Sequence, residues 1–190
     1  MLPCRANSVS DTTLIQIVDA ALVVVGIKSG AWLACRPGCS QCCVGVFAIN
    51  QLDALRLRNG LAELSLGDVE RAARVRQRVA ASAQRLRSSF PGDPVSGLLD
   101  ENAEGSERFE SFANDEVCPV LDLETGTCDL YSSRPMTCRV FGPPVRSDEG
   151  LGACELCYHG ASEDEITACE MVHDPENLEA VLVEDLERVS

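Results

Sequence analysis

Four cysteines fall within nine residues, Cys35, Cys39, Cys42 and Cys43, and six more follow at positions 118, 128, 138, 154, 157 and 169. Thiolates bind soft and borderline metals strongly, and closely spaced ones share a short backbone that can aim several sulfurs at one centre. Pro37 and Gly38 supply the turn such a loop requires, one by fixing φ and the other by permitting a positive φ. The stretch therefore reads as a metal-binding loop. Its adjacent pair, Cys42 and Cys43, is hard to seat on one tetrahedral ion, whereas an iron–sulfur cluster offers several irons. An iron–sulfur cluster is the preferred occupant, and zinc the alternative, with the adjacent thiolates split between two ions. The Cys35-x3-Cys39-x2-Cys42 spacing also occurs in radical S-adenosylmethionine enzymes, but no alternating strand–helix series follows it here.

The later cysteines carry their own local patterns. Val117 to Tyr131 reads as a hairpin turning at Glu124-Thr125-Gly126. With Leu123 opposite Thr127, Asp122 faces Cys128, and Cys118 and Cys128 share a side. A regular ladder would hold those two on the order of 13 Å apart. Either the first arm bends at Pro119, which cannot continue a central ladder, or the two cysteines serve different centres. Beyond the hairpin, Arg134 and Arg139 flank Cys138. Guanidinium groups there would offset the negative charge of a thiolate-bound metal and donate to sulfur; ordinary arginine–carboxylate pairs are the alternative. Cys154-x2-Cys157 lacks the βαβ context of a redox dithiol, so metal ligation by Cys154 is favoured. His159 and His173 read as surface or cap residues. No Ser–His–Asp spacing, P-loop or dinucleotide fingerprint is present, and no catalytic residue is nominated.

Together, the Cys-Cys pair and the run CPVLDLETGTCDLYSSRPMTCRVF resemble the YkgJ-like cysteine-cluster proteins, a CxxCxxCC zinc- or iron-chelating family. The resemblance covers most of residues 35–154. It implies eight metal-ligand candidates: Cys35, Cys39, Cys42, Cys43, Cys118, Cys128, Cys138 and Cys154. The chain departs from the pattern in having three residues, not two, between its first two loop cysteines. Cys4, Cys157 and Cys169 fall outside it. Some relatives are described as iron–sulfur oxidoreductases, and a similar cysteine pattern appears in flagellin lysine methylases. The resemblance implies a metal site and no particular reaction.

The elements that must position these thiols are mostly helical. At 190 residues with 45% hydrophobic content, the chain is long enough for one domain with a true core, taken as residues 1–190 with a centre at 30–160. A helix is expected over 12–27. A short strand-like run, Val44 to Ile49, follows the loop. Asn50 then caps a helix ending at Gly60. A further helix from about Ser65 or Gly67 to Ser88 carries the apolar stripe Val69, Ala72, Val79, Ala83, Leu86 and Phe90. Arg71, Arg74, Arg78 and Arg85 lie on another face, as a docking surface for a protein partner or as a solvated face pairing with carboxylates. Residues 91–116 form a loop with one short helix near 107–112, and a last helix covers 177–189. The expected class is α+β, mainly helical with a small β-hairpin region, the metal centre lying between the N-terminal cysteine loop and the hairpin. A net charge of −14 argues against nucleic-acid binding. The apolar run Leu14 to Ile27 is short for a membrane span and contains Asp19. A cytoplasmic location, where thiols stay reduced, fits the odd count of eleven cysteines.

Overall fold

The structure, a computed structural model, describes residues 10–36, 38–147 and 150–188. Cys4, Pro37 and Val189 lie outside the described residues. The helices are α1 (Asp11–Ser29), α2 (Gln51–Gly67), α3 (Val69–Leu86), α4 (Ala103–Glu110), α5 (Met136–Val140), α6 (Glu163–Ala168) and α7 (Leu178–Glu187). The strands pair as three antiparallel hairpins: β1 (Gly92–Asp93) with β2 (Leu98–Leu99), β3 (Leu121–Asp122) with β4 (Thr127–Cys128), and β5 (Val145–Ser147) with β6 (Gly150–Gly152). The fold is thus α+β and mainly helical, as expected. The chain divides into two compact units, one comprising Met1–Arg36, Ile49–Arg56 and Arg134–Ser190, the other Pro37–Ala48 and Leu57–Ser133.

In the first unit α1 is the central element. Ser10 caps it by accepting from the Thr13 N–H. Leu14, Val18 and Val25 are buried with Met136, Cys157, Tyr158, Cys169 and Met171. With the 3₁₀ turn that follows, Asp11–Trp32 makes 22 residues, within which a window of 18 has a mean hydropathy of 1.7. By length and composition this helix, longer than the run Leu14 to Ile27 alone, is long and apolar enough to cross a membrane. The same stripe of residues serves as the unit's core. Asp174 accepts from the Leu178 and Glu179 N–H groups at the start of α7.

In the second unit Asp68 caps α3 through the Arg71 N–H. The buried face of α3 is Ala72, Val75 and Ser82, while Val69 and Val79 of the expected stripe are exposed. A serine replaces an aliphatic there because its hydroxyl donates to Glu116 Oε1 at 2.7 Å. Phe112 packs edge-on against Phe90, ring centroids 5.8 Å apart. Val44 to Ile49 is no strand; only Val44 pairs, as an isolated bridge to Val117. The main hairpin is shifted by one residue from the expected register, with Leu121 opposite Cys128 and Asp122 opposite Thr127. Asp122 sets the turn: its carboxylate accepts from the Glu124 N–H at 3.0 Å and its carbonyl from the Gly126 N–H at 2.8 Å.

Asn50 caps α2 by accepting from the Asp53 N–H at 2.8 Å, but the helix runs past Gly60. This glycine is a point of close approach and not a C-cap. A Cβ there would lie 2.3 Å from Ser133 Oγ and 2.4 Å from Ser133 Cβ. Gly60→Ala is therefore expected to destabilise by about 1–3 kcal/mol through overpacking, despite alanine's better helix propensity. Ser133→Gly in the same background should recover most of the loss. Urea denaturation of the two variants checks this.

Candidate metal centre

The second unit holds Cys42, Cys43, Cys118 and Cys128. Gln41–Cys43 form a 3₁₀ turn closed by the Cys43 N–H donating to Ser40 O at 2.9 Å. The Val44–Val117 bridge that follows is flanked by two bonds, Gly45 N–H to Glu116 O at 2.9 Å and Cys118 N–H to Cys43 O at 2.8 Å. That antiparallel register sets Cys43 directly opposite Cys118, and directly opposite residues share a face. The chain then turns at Pro119, the Leu121 N–H closing on Cys118 O at 3.0 Å. The bend foreseen at Pro119 is the one adopted, and no four-rung ladder separates Cys118 from Cys128. The Asp129 N–H donates to Val120 O at 2.8 Å and holds the Cys128 end of the hairpin alongside.

The sulfurs of this unit act on one another's titration. Its hydrogen bond with Cys42 is the largest influence pushing the Cys43 thiol far up; burial and the nearby Cys42, Cys118 and Cys128 sulfurs add to it. Burial likewise pushes the Cys118 thiol up, opposed by hydrogen bonds from the Val120 and Leu121 N–H groups and by the charge of Arg78. Backbone N–H groups aimed at a sulfur are a donor arrangement that favours thiolate and tunes a bound metal. Cys39 follows Gly38, half-buried in the same unit. Gly38 in turn lies against the hairpin turn, its carbonyl oxygen 3.1 Å from where a Cβ of Gly126 would stand.

Helix α3 clamps this arrangement. The Asp129 carboxylate is buried and accepts from Arg71 Nε at 2.5 Å and from Arg78 Nη2. Arg78 Nε also donates to Pro119 O at 2.8 Å, so one guanidinium grips both the turn after Cys118 and the residue after Cys128. Arg85 pairs with Glu116 at 2.5 Å, and Ser82 and Arg85 together hold that carboxyl below its usual range. Three of the four arginines on the α3 face thus make ion pairs within the unit. Arg78 is also a cation whose charge acts on the Cys118 thiol. Its role was not legible beforehand, because its partner Asp129 is 51 residues away.

The first unit holds Cys35, Cys138 and Cys154. The Cys35 sulfur lies 3.7 Å from the Cβ position of Gly142, whose carbonyl accepts from the Cys154 N–H at 3.2 Å. Cys138 lies on α5, and its helix is held on two sides. At its start the Met136 N–H donates to Asp53 Oδ1 at 2.9 Å. At its end Arg139, buried, pairs with Asp19 at 3.0 Å, while burial and the neighbouring Arg134 lower the guanidinium's basicity. Asp53 also pairs with Arg56 at 2.6 Å, and Arg56 reaches Asp11 and Glu179 at 2.5 and 3.2 Å. Cys157 and Cys169 are core residues of this unit.

All ten described cysteines are thiols. Among the described residues, no three His, Cys, Asp or Glu side chains converge on one point at metal-bonding reach. The donor set nevertheless suits a thiophilic metal: Cys42, Cys43, Cys118 and Cys128 are four thiols of one compact unit, with the Val120 and Leu121 N–H groups and the Arg78 charge acting on Cys118. No curated protein and no solved structure gives a significant match to the chain. Residues 34–158 match the family model CxxCxxCC, "Putative zinc- or iron-chelating domain". That span contains all eight candidate cysteines and ends on Tyr158, and the chain belongs to this metal-chelating family.

Proposed function

We propose that Cys42, Cys43, Cys118 and Cys128 hold an iron–sulfur cluster, with Cys39 beside them and the first unit's Cys35, Cys138 and Cys154 as the remaining ligand candidates. The observation that supports this most is the register Cys43–Cys118, fixed by the 2.8 Å bond between their backbones. Adjacent thiols on a tight turn suit a centre with several metal atoms better than one tetrahedral ion. Bound metal would replace the hydrogen bond that Cys42 and Cys43 now make with each other. The Val120 and Leu121 N–H groups and Arg78 would steady the anionic sulfur of Cys118. A cluster would supply one-electron redox chemistry, and a redox or modification role follows from it; zinc would leave a structural chelating module. A reducing cytoplasm is the compartment proposed for such exposed and half-buried thiols.

Anaerobic purification with iron, sulfide and zinc analysis tests the reading. Iron with acid-labile sulfide and a broad absorption band near ~400 nm is the expected result. A colourless protein with stoichiometric zinc overturns the cluster and leaves the same thiols as a zinc site.

A further inference from the structure

The family match ends on Tyr158, and Tyr158 is a residue the chain holds in an unusual way. Its φ is +59°, in the left-handed region that bulky side chains rarely enter. Such a conformation persists where surrounding contacts over-determine it, and here they do. The Tyr158 hydroxyl and Ser29 Oγ are 2.5 Å apart and buried. The Tyr158 N–H donates to Trp32 O at 2.8 Å. One residue thus ties itself to both sides of the 3₁₀ turn Gly30–Trp32, which leads on to Cys35. Its other side joins the turn 154–157, closed by the Cys157 N–H donating to Cys154 O at 2.8 Å. Both residues then lie at Gly142, Cys35 with its sulfur 3.7 Å from the glycine's Cβ position and Cys154 through its backbone N–H donating to the Gly142 carbonyl.

We propose that Tyr158 is a positioning residue for Cys35 and Cys154, locking the turn that carries Cys154 against the segment that delivers Cys35 and so setting whether their thiols can be bridged. Cys35 is exposed and Cys154 only half-buried, so neither thiol is fixed by packing alone. The aromatic ring fills the core, and the hydroxyl and the N–H set the alignment. The consequence for metal capture rests on the proposed function; the alignment itself does not.

The test is therefore made on the full chain stripped of metal, with the thiol-bridging reagent dibromobimane and mass-spectrometric mapping of the bridged peptides. Tyr158→Phe keeps the ring and loses the bond to Ser29; Ser29→Ala loses the same bond from the other side. Each is expected to lower the Cys35–Cys154 bridge roughly fivefold, the population change that one net hydrogen bond commands. The double variant should lose no more than either single one. The Cys43–Cys118 bridge in the other unit, measured in the same sample, should stay at its wild-type yield. An unchanged Cys35–Cys154 yield in both single variants overturns the proposal, and so does a parallel fall of both bridges, which would mark a general loss of structure. If metal analysis fails the cluster reading, the bridging result still stands or falls separately.

Discussion

Cys118→Ser is expected to reduce metal affinity by about two orders of magnitude or more, and to leave the purified chain with little bound metal. A four-thiolate site contributes roughly 10–16 kcal/mol of binding free energy at neutral pH, so one ligand accounts for about a quarter of it. Serine keeps the shape but offers a hard hydroxyl that does not deprotonate for a thiophilic metal. Cys118 is the most telling of the four positions. It faces Cys43 across the bridge, receives the Val120 and Leu121 N–H groups at its sulfur, and feels the charge of Arg78. Cys169→Ser is the control. That thiol is buried in the first unit's core, so the variant should lose stability, about 1–3 kcal/mol for an added buried hydroxyl, and keep its metal. Competition with a chromophoric chelator under anaerobic conditions reads both. Equal affinity in Cys118→Ser and the unchanged chain would remove the second unit's thiols from the site.

The thiols were legible because their signal is local. Four cysteines in one loop and the Arg-Pro-x-x-Cys-Arg segment need no partner to be recognised. Asn50 as a helix cap and the bend at Pro119 were legible for the same reason, since each is a property of one residue's own backbone chemistry. What failed to show was whatever depends on a distant contact. Gly60 looks like a helix end until Ser133 is seen filling the space its missing Cβ leaves. Ser82 breaks the apolar stripe of α3 because Glu116, 34 residues on, accepts its hydroxyl. The hairpin register slipped by one because Asp122, and not the glycine of the turn, sets where the chain reverses. The α3 arginines read first as a solvated face pairing with carboxylates and second as a docking face, but which carboxylate would pair was not visible; for Arg71 and Arg78 it is the buried Asp129.

The charge cluster under α5 shows the same limit and carries the second large expected effect. Asp53→Ala should destabilise the chain by about 3–5 kcal/mol, the loss seen when one partner of a buried pair is removed. Two groups lose their acceptor at once. The Met136 N–H, at the start of the helix that carries Cys138, is left without the Asp53 oxygen 2.9 Å away. Arg56, with only 4% of its side chain exposed, keeps Asp11 and Glu179 but loses its most buried carboxylate. Asp53→Asn separates the two contributions, because its amide oxygen can still accept from Met136 while the charge is gone. It should cost about 1–3 kcal/mol, placing the order of stability as Asp, then Asn, then Ala. Urea denaturation of the metal-free chain gives the order. The alkylation rate of Cys138 gives the local consequence, rising most in Asp53→Ala as the first turn of α5 loosens. Equal stabilities for the two variants would mean that the bond to Met136 contributes nothing, and that Asp53 acts on this part of the first unit through Arg56 alone.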